Sequence, residues 1–367
     1  MKIIHCADVH LSSNLMTNLD KERAKNRNIE LLMNFERMVE YAEENFVQAI
    51  MLVGDLFDDT VVSSYILQQV LDIIKIHEEI DFFYVRGNHD RTVFEDWTGS
   101  FPDNLILFQK HFKSFLCGEV VISGMECEGV CLDQTLEQVD FVEDKINIMM
   151  LHGRVVEKCE ASVLEDQIPL SKLRNKHIDY LALGHIHSYS EKRLDERGRY
   201  CYSGCLEGRG FDECGQKGFV LLDIVEESKK IRTTFLPFTK RMLYEEQLAM
   251  DAEMTKADME ELIKQKLYKI GCNKEDYVKI KLTGEMSQDC QRYLWYLKKK
   301  FEQKYYYFQV VDETNIKDEY HQFAEQETLK GEFIRLVEGS TYSESDKREI
   351  IRLGMNALTG EELEICN

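Results

Sequence analysis

Five short apolar runs each break into a polar cluster able to ligate metal, and this recurrence limits the fold more than any other feature of the chain. Lys2–Cys6 leads into Asp8-Val9-His10, Ala49–Val53 into Gly54-Asp55-Leu56-Phe57-Asp58, and Asp81–Val85 into Gly87-Asn88-His89-Asp90. Residues 146–151 lead into His152-Gly153, and residues 179–183 into Gly184-His185-Ile186-His187. Runs this short and this apolar are what strands covered on both faces look like. Residues 119–123 and 218–224 read the same way. Between the first two runs, Leu32, Phe35, Val39, Ala42 and Phe46 recur at helical spacing, and a second helix is expected over residues 63–77. Strands alternating with helices specify a layered α/β fold. In such sheets ligands gather at the carboxyl ends of the strands.

Each cluster alone says little, since an Asp-x-His is more often a capping Asp beside a surface His. The ordered set says much more. Five of the ten histidines fall inside it: His10, His89, His152, His185 and His187. In extended chain, residues i and i+2 point the same way, so Asp8/His10 and His185/His187 are each expected to aim two ligands together.

Composition narrows the function. The 46 Lys and Arg against 67 Asp and Glu give a net charge of −21, so the general surface repels nucleic-acid phosphates. A polyanion must be met at a local cationic site, through bound metal or with a basic partner. The 11 cysteines are scattered, the closest pairs (Cys127/Cys131 and Cys201/Cys205) being four apart, and reduced thiols are expected. The N-terminus enters a strand directly and no apolar run reaches the length of a membrane span, so a cytoplasmic location without membrane contact is expected.

Near residue 240 the texture changes. Residues 255–270 and 288–304 look helical, and residues 277–282 and 305–311 look like strands, a small α+β module. Two amphipathic helices are expected from Lys317 onward. The expected domains are 1–240, 241–313 and 314–367.

The ordered clusters resemble the calcineurin-like metallophosphoesterase superfamily. Two further segments, Tyr202-Ser203-Gly204 with Glu207-Gly208-Arg209-Gly210-Phe211-Asp212-Glu213 and Leu329-Lys330-Gly331-Glu332-Phe333-Ile334-Arg335, are similar to SbcD-type DNA exonuclease subunits, especially the YhaO-like branch. The resemblance implies a layered metallophosphoesterase sandwich, β-sheets flanked by helices, with a small α+β capping domain and a helical tail. It implies one divalent ion held by Asp8, His10, Asp55 and His187 and another by Asp55, Asn88, His152 and His185. His89 would be the catalytic acid or a transition-state stabiliser, oriented by Asp90. A ligand set of N and O atoms without thiolate suits Mn²⁺, and two dications would leave the site net positive in an acidic chain. Arg91, Arg154 and Arg209 are the candidate DNA-positioning residues, with a second basic cluster at Lys192, Arg193, Arg197 and Arg199. Asp58 stands where some relatives carry histidine, and its role stays open.

By the same resemblance the residue 63–77 helix would form a homodimer interface, and the tail helices would dock on an SbcC-like coiled-coil ATPase. The expected function is metal-dependent DNA cleavage as a subunit working with that ATPase, in DNA repair or processing. A phosphatase or small-molecule phosphodiesterase built on the same site is the alternative, and a non-catalytic scaffold of the ATPase complex is the third reading.

Overall fold

The computed structural model describes the chain apart from residues 16–18, 59–61, 96, 128–131, 138, 140, 160–165, 317–320 and 360–367. Its contacts divide it into two units, residues 1–244 with 275–277, and residues 245–274 with 278–367.

The first unit is a mixed α/β sandwich of two six-stranded sheets. One sheet runs Lys230–Pro237, Gly218–Val225, Lys2–Cys6, Ala49–Val53, Asp81–Val85, Leu105–Leu107. The other runs Ser190–Arg193, Arg199–Tyr202, Tyr180–Gly184, Ile146–His152, Val120–Gly124, Lys113–Cys117. Met51, Val53, Phe83 and Val85 of the first share one buried cluster with Val120, Ile122, Ile148, Met150 and Ala182 of the second. The alternate residues Ile4, Ile50 and Leu52 are buried too, which is why these strands read as unbroken apolar runs. Helix Lys21–Glu44 buries Leu31, Phe35, Met38, Val39 and Ala42 along one stripe, and its first turn is capped by Asp20, which accepts from the Arg23 N–H. Helix Ser64–Ile76 is capped by Ser63 and buries Leu67, Val70, Leu71, Ile73 and Ile74. Most of that helix's apolar surface is therefore covered within the chain, with Tyr65 and Ile76 left exposed.

Topology positions the site. Lys2–Cys6, Ala49–Val53 and Asp81–Val85 are mutually parallel, as are Ile146–His152 and Tyr180–Gly184. Their carboxyl ends meet where the two sheets abut. A Cβ on Gly184 would sit 1.9 Å from the Val53 carbonyl oxygen.

The structure departs from the sequence pattern in several places. Phe46 lies beyond the end of its helix with φ 57° and is 79% exposed, so it does not continue the buried stripe. Strands Ser190–Arg193 and Lys230–Pro237 lie at sheet edges, and the Ser-Glu-Lys-Arg sequence of the first carries no apolar signal. Eight described cysteines carry free thiols, whereas Cys159 is disulfide-bonded, against the expectation of reduced thiols throughout.

A buried charged network ties helix Lys21–Glu44 to the loop that carries Glu207. Arg27 donates to Glu207 at 2.6 Å and to Glu30 at 3.0 Å, Arg241 donates to Glu30 at 2.6 Å, and Asn34 donates to Glu207 at 2.8 Å. Burial works against the Glu30 charge, but hydrogen bonds from Arg241 and Arg27 outweigh it and bring its pKa from 4.5 to about 2. The folded value lies below the unfolded one, so this stabilisation is complete above pH 4.5 and is lost as pH falls toward 2. Glu30→Gln is expected to cost about 2 kcal/mol at neutral pH and to flatten the acid limb of stability. Urea midpoints measured from neutral pH downward check this; parallel curves for the variant and the unaltered chain would contradict it.

The second unit has a sheet of Leu243–Met250, Tyr277–Met286 and Tyr307–Asp312, with Asn315–Ile316 beside Tyr277–Met286. Helices Lys256–Ile270 and Gln288–Glu302 supply Met259, Ile263, Leu267, Leu297 and Phe301 to its core against Val278 and Ile280. Thr255 and Asp258 form a reciprocal capping box, as their spacing predicts. Helices Leu329–Glu338 and Glu344–Thr359 bury Ile334, Val337, Ile351 and Met355 together, leaving Leu329 and Leu336 exposed. Lys317, where the tail was expected to turn helical, lies outside the described residues. Among the described residues no helix is long and apolar enough to cross a membrane.

Candidate metal centre

The site is built on strained backbone. Asp8, His10, Asp55 and His185 adopt φ of 51°, 52°, 51° and 101°. Left-handed backbone costs a non-glycine residue about 1–3 kcal/mol and persists only where surrounding structure enforces it. Here Asp8 N–H donates to the Gly54 carbonyl at 3.0 Å and His10 N–H to the Asp55 carbonyl at 2.9 Å. Asp8/His10 thus converge through a turn held from outside, not through the alternation of an extended strand. Two glycines are required by close approach. A Cβ on Gly54 (φ 81°) would lie 2.0 Å from His152 Nδ1, and one on Gly87 would lie 2.1 Å from Asp55 Oδ1.

All seven expected ligands join one connected cluster. Asp55 Oδ2 lies 3.2 Å from His152 Nε2 and 3.9 Å from His10 Nε2. His10 Nε2 is 3.1 Å from His187 Nε2, which is 3.8 Å from Asp8 Oδ1. Asn88 Oδ1 stands 3.2 Å from both His152 Nε2 and His185 Nδ1. The His185 N–H donates to Asp8 at 2.9 Å, and the His89 N–H donates to Asp55 at 2.9 Å. Asp8, His10, Asp55 and His152 are buried.

The residues fit divalent cations. His152 Nδ1 lies 2.9 Å from the Val53 carbonyl oxygen and donates to it. His10 Nδ1 meets Asp58 Oδ1 at 2.6 Å, and His187 Nδ1 meets Glu213 Oε1 at 2.7 Å. These partners suit a ring proton on Nδ1, so that with cations in place of protons in the cluster three Nε2 lone pairs would be directed into it. The Nε2 atoms of His10 and His187 stand 3.1 Å apart, close enough for a shared proton or a divalent cation to sit against both. Ionisation says the same. Burial disfavours charge on His152, yet Asp55 and Asp8 outweigh it and lift its pKa to about 10. Asp8 is raised by burial to about 6, while His152 and His10 hold Asp55 well below the carboxylate range despite burial. A pocket that retains a proton this firmly holds the negative charge a metal ion would neutralise.

Asp90 does not orient His89. Its buried carboxylate accepts from the N–H groups of Gly87 and Leu56 at 2.7 Å each and from the Tyr84 hydroxyl, so it ties together the two ligand-bearing turns. His89 is instead oriented by Asp58, whose carbonyl accepts from its Nδ1 at 3.1 Å and whose carboxylate lies 3.7 Å away. The imidazole of His89 is 43% exposed at the rim of the cluster. Asp58 and Glu213 are functional partners that residue type alone did not mark. Glu213 sits in the Gly-Arg-Gly-Phe-Asp-Glu stretch, where its spacing from the histidines carries no signal.

The arginines differ from expectation. Arg209 is mostly buried and bonds Glu213 and Asp58 at 2.7 and 2.8 Å, so it faces inward instead of toward a DNA backbone. Arg91 pairs with the Asp166 carboxylate, and Arg154 is exposed. In the second basic cluster, Arg197 pairs with Asp179 and Arg199 with Glu191, which neutralises much of its charge.

A family model for calcineurin-like phosphoesterases matches residues 1–189. The chain belongs to the calcineurin-like phosphoesterase family. It is 27% identical over 245 residues to the uncharacterized metallophosphoesterase YhaO of Bacillus subtilis, covering 61% of this chain and 57% of that protein. It is 21% identical over 252 residues to the DNA double-strand break repair protein Mre11 of Methanosarcina acetivorans, covering 66% and 40%. Among solved structures, a dimetal phosphatase from Danio rerio superposes with a TM-score of 0.40 at 12% identity, covering 60% of this chain and 92% of that one. The chain spans about half the length of the curated relatives it matches.

Calcineurin-like phosphoesterases as a family hydrolyse phosphoester bonds with a two-metal site. Three groups of side chains in this protein, Asp8-His10-His187, Asp8-Asp55-His152 and His10-Asp58-His89, each bring ligand atoms within 4.8 Å of one another.

Proposed function

We propose that the chain is a metal-dependent DNA nuclease subunit that hydrolyses phosphodiester bonds. The observation that carries this reading is the single cluster of Asp8, His10, Asp55, Asn88, His152, His185 and His187 with His89 exposed at its rim. The likeness to a protein described as a DNA double-strand break repair protein supports DNA over a small phosphoester.

Asp8, His10, Asp55 and His187 would hold one ion, and Asp55, Asn88, His152 and His185 the other. Bound there, Mn²⁺ ions would supply Lewis-acid activation of water and neutralise the charge of the phosphodiester. The chain's own residues do the rest. In its protonated form His89 donates Nδ1–H to the Asp58 carbonyl and presents Nε2–H to the leaving oxygen, to which it gives that proton as the P–O bond breaks. Asp58 keeps the ring in that orientation. Asp90 locks the Gly87 turn so that Asn88 and His89 stay in register.

The exposed Leu329 and Leu336 of the tail helix suit docking to an SbcC-like coiled-coil ATPase, and the exposed Tyr65 suits a homodimer contact. Purified protein with Mn²⁺ is expected to cleave a labelled DNA duplex and to stop on addition of chelator. Turnover of a chromogenic phosphate monoester with DNA left intact would make the protein a phosphatase. Copurification with a large ATPase without metal-dependent cleavage would make it a scaffold.

A further inference from the structure

Two of the site's imidazoles are held differently from the third. His152 rests its Nδ1 on a neutral backbone carbonyl, Val53 O. His10 and His187 rest theirs on carboxylates, Asp58 and Glu213. One guanidinium joins these two carboxylates. Arg209 Nη1 donates to Asp58 Oδ1 at 2.8 Å and to Ser13 Oγ at 3.0 Å, while Nη2 donates to Glu213 Oε1 at 2.7 Å. The Arg209 backbone N–H adds a bond to Glu213 Oε2 at 2.8 Å. The side chain is 16% exposed, and that of Glu213 is 3% exposed. Asp58 comes from the turn after Ala49–Val53 and Glu213 from the loop before Gly218–Val225. The Arg209 side chain bonds both.

We propose that Arg209 is a positioning residue that clamps Asp58 and Glu213 and thereby fixes His10 and His187 as a ligand pair for one of the two divalent ions. A carboxylate beside an imidazole can do two things. It can accept the ring proton and orient the ring, or it can swing inward and become a ligand itself. Arg209 donates to the same oxygens that meet the two rings, Asp58 Oδ1 and Glu213 Oε1, so it pins both carboxylates in place and offsets their charge, which selects the first role for each. A planar fork offers each carboxylate its own nitrogen, Nη1 and Nη2, where an ammonium offers one nitrogen for both. The clamp reaches His10 through Asp58 and His187 through Glu213, with Arg209 Nη2 also 3.5 Å from His187 Nδ1, and among the described residues it makes no bond to His152, Asn88 or His185. Its effect is therefore confined to one ion. The inference rests on the two-ion reading of the site and is independent of the substrate.

The test is calorimetric titration of the full chain with Mn²⁺ alone, with no DNA present, for the unaltered protein, Arg209→Ala, Arg209→Lys and Glu213→Gln. Removing an outer partner of a ligating histidine costs about 10–100-fold in metal affinity. Arg209→Ala is expected to weaken one of two binding steps by that factor and to leave the other within about twofold. Arg209→Lys keeps the charge but cannot span both carboxylates, and is expected to weaken the same step. Glu213→Gln keeps the shape and an oxygen for His187 but removes the charge that holds Arg209 and polarises the ring, so it reports on the same step if Arg209→Ala fails to fold. Thermal unfolding in chelator separates loss of fold from loss of affinity. Two steps unchanged in Arg209→Ala, or both weakened equally in variants that unfold as the unaltered chain does, would overturn the clamp while leaving the two-ion reading intact. No Mn²⁺ binding by the unaltered chain would overturn both.

Discussion

Replacing Asp55 with asparagine is expected to cut phosphodiester hydrolysis by at least about 10³-fold while the chain stays folded. Asp55 faces both halves of the cluster, with its Oδ2 near His152 and His10 and its Oδ1 accepting from the His89 N–H. Asparagine keeps the volume and retains an oxygen for the His89 N–H, so the local turn survives. What it loses is the negative charge that pairs with cations on either side. It also removes the principal group that raises His152, so that ring binds its proton less firmly. Activity with Mn²⁺ measured beside thermal unfolding in chelator separates the two effects. An Asp55→Asn protein that retains more than a tenth of its activity would contradict the bridging role.

His89→Gln is the second large effect. Loss of a general acid typically costs about 10²–10⁴-fold. The His89 ring makes its hydrogen bond to the Asp58 carbonyl and stands at the rim, so removing it leaves the ligand geometry in place. The expected result is a fall in kcat of that size with KM and Mn²⁺ affinity nearly unchanged. The arrangement also brings His89 within ligating distance of the His10 and Asp58 donor atoms. A variant that loses Mn²⁺ affinity along with activity would therefore make His89 a ligand and not an acid.

Which parts of this architecture could be read without coordinates follows from physics. Ala49–Val53 is buried at all five positions, so its apolar run is unbroken and its end is marked by the first residues that cannot be buried unpaired. The same logic exposes every ligand cluster, because metal-binding groups sit where the apolar run stops. Edge strands such as Ser190–Arg193 leave no such trace, since one side meets solvent. The geometry of Asp8 and His10 was legible as a pair but not in its cause. Extended alternation and a left-handed turn can both bring neighbours together, and only the external hydrogen bonds from Asp8 and His10 to Gly54 and Asp55 decide between them. Arg209 reads as a DNA contact because flanking glycines allow close backbone approach. Its true partners, Asp58 and Glu213, come from another strand end and another loop, a convergence that spacing does not encode. Asp90, which the resemblance pairs with His89, has its carboxylate turned into the interior, to Tyr84 and the turn N–H groups.

The most direct test of the account is a count of bound metal. Purified chain dialysed against Mn²⁺ and passed over a desalting column is expected to carry two ions per molecule, released together with activity by chelator and restored with it on readdition. A chain that emerges empty from excess Mn²⁺, and whose hydrolytic activity is indifferent to chelator, would contradict the claim that these seven side chains form a two-ion centre.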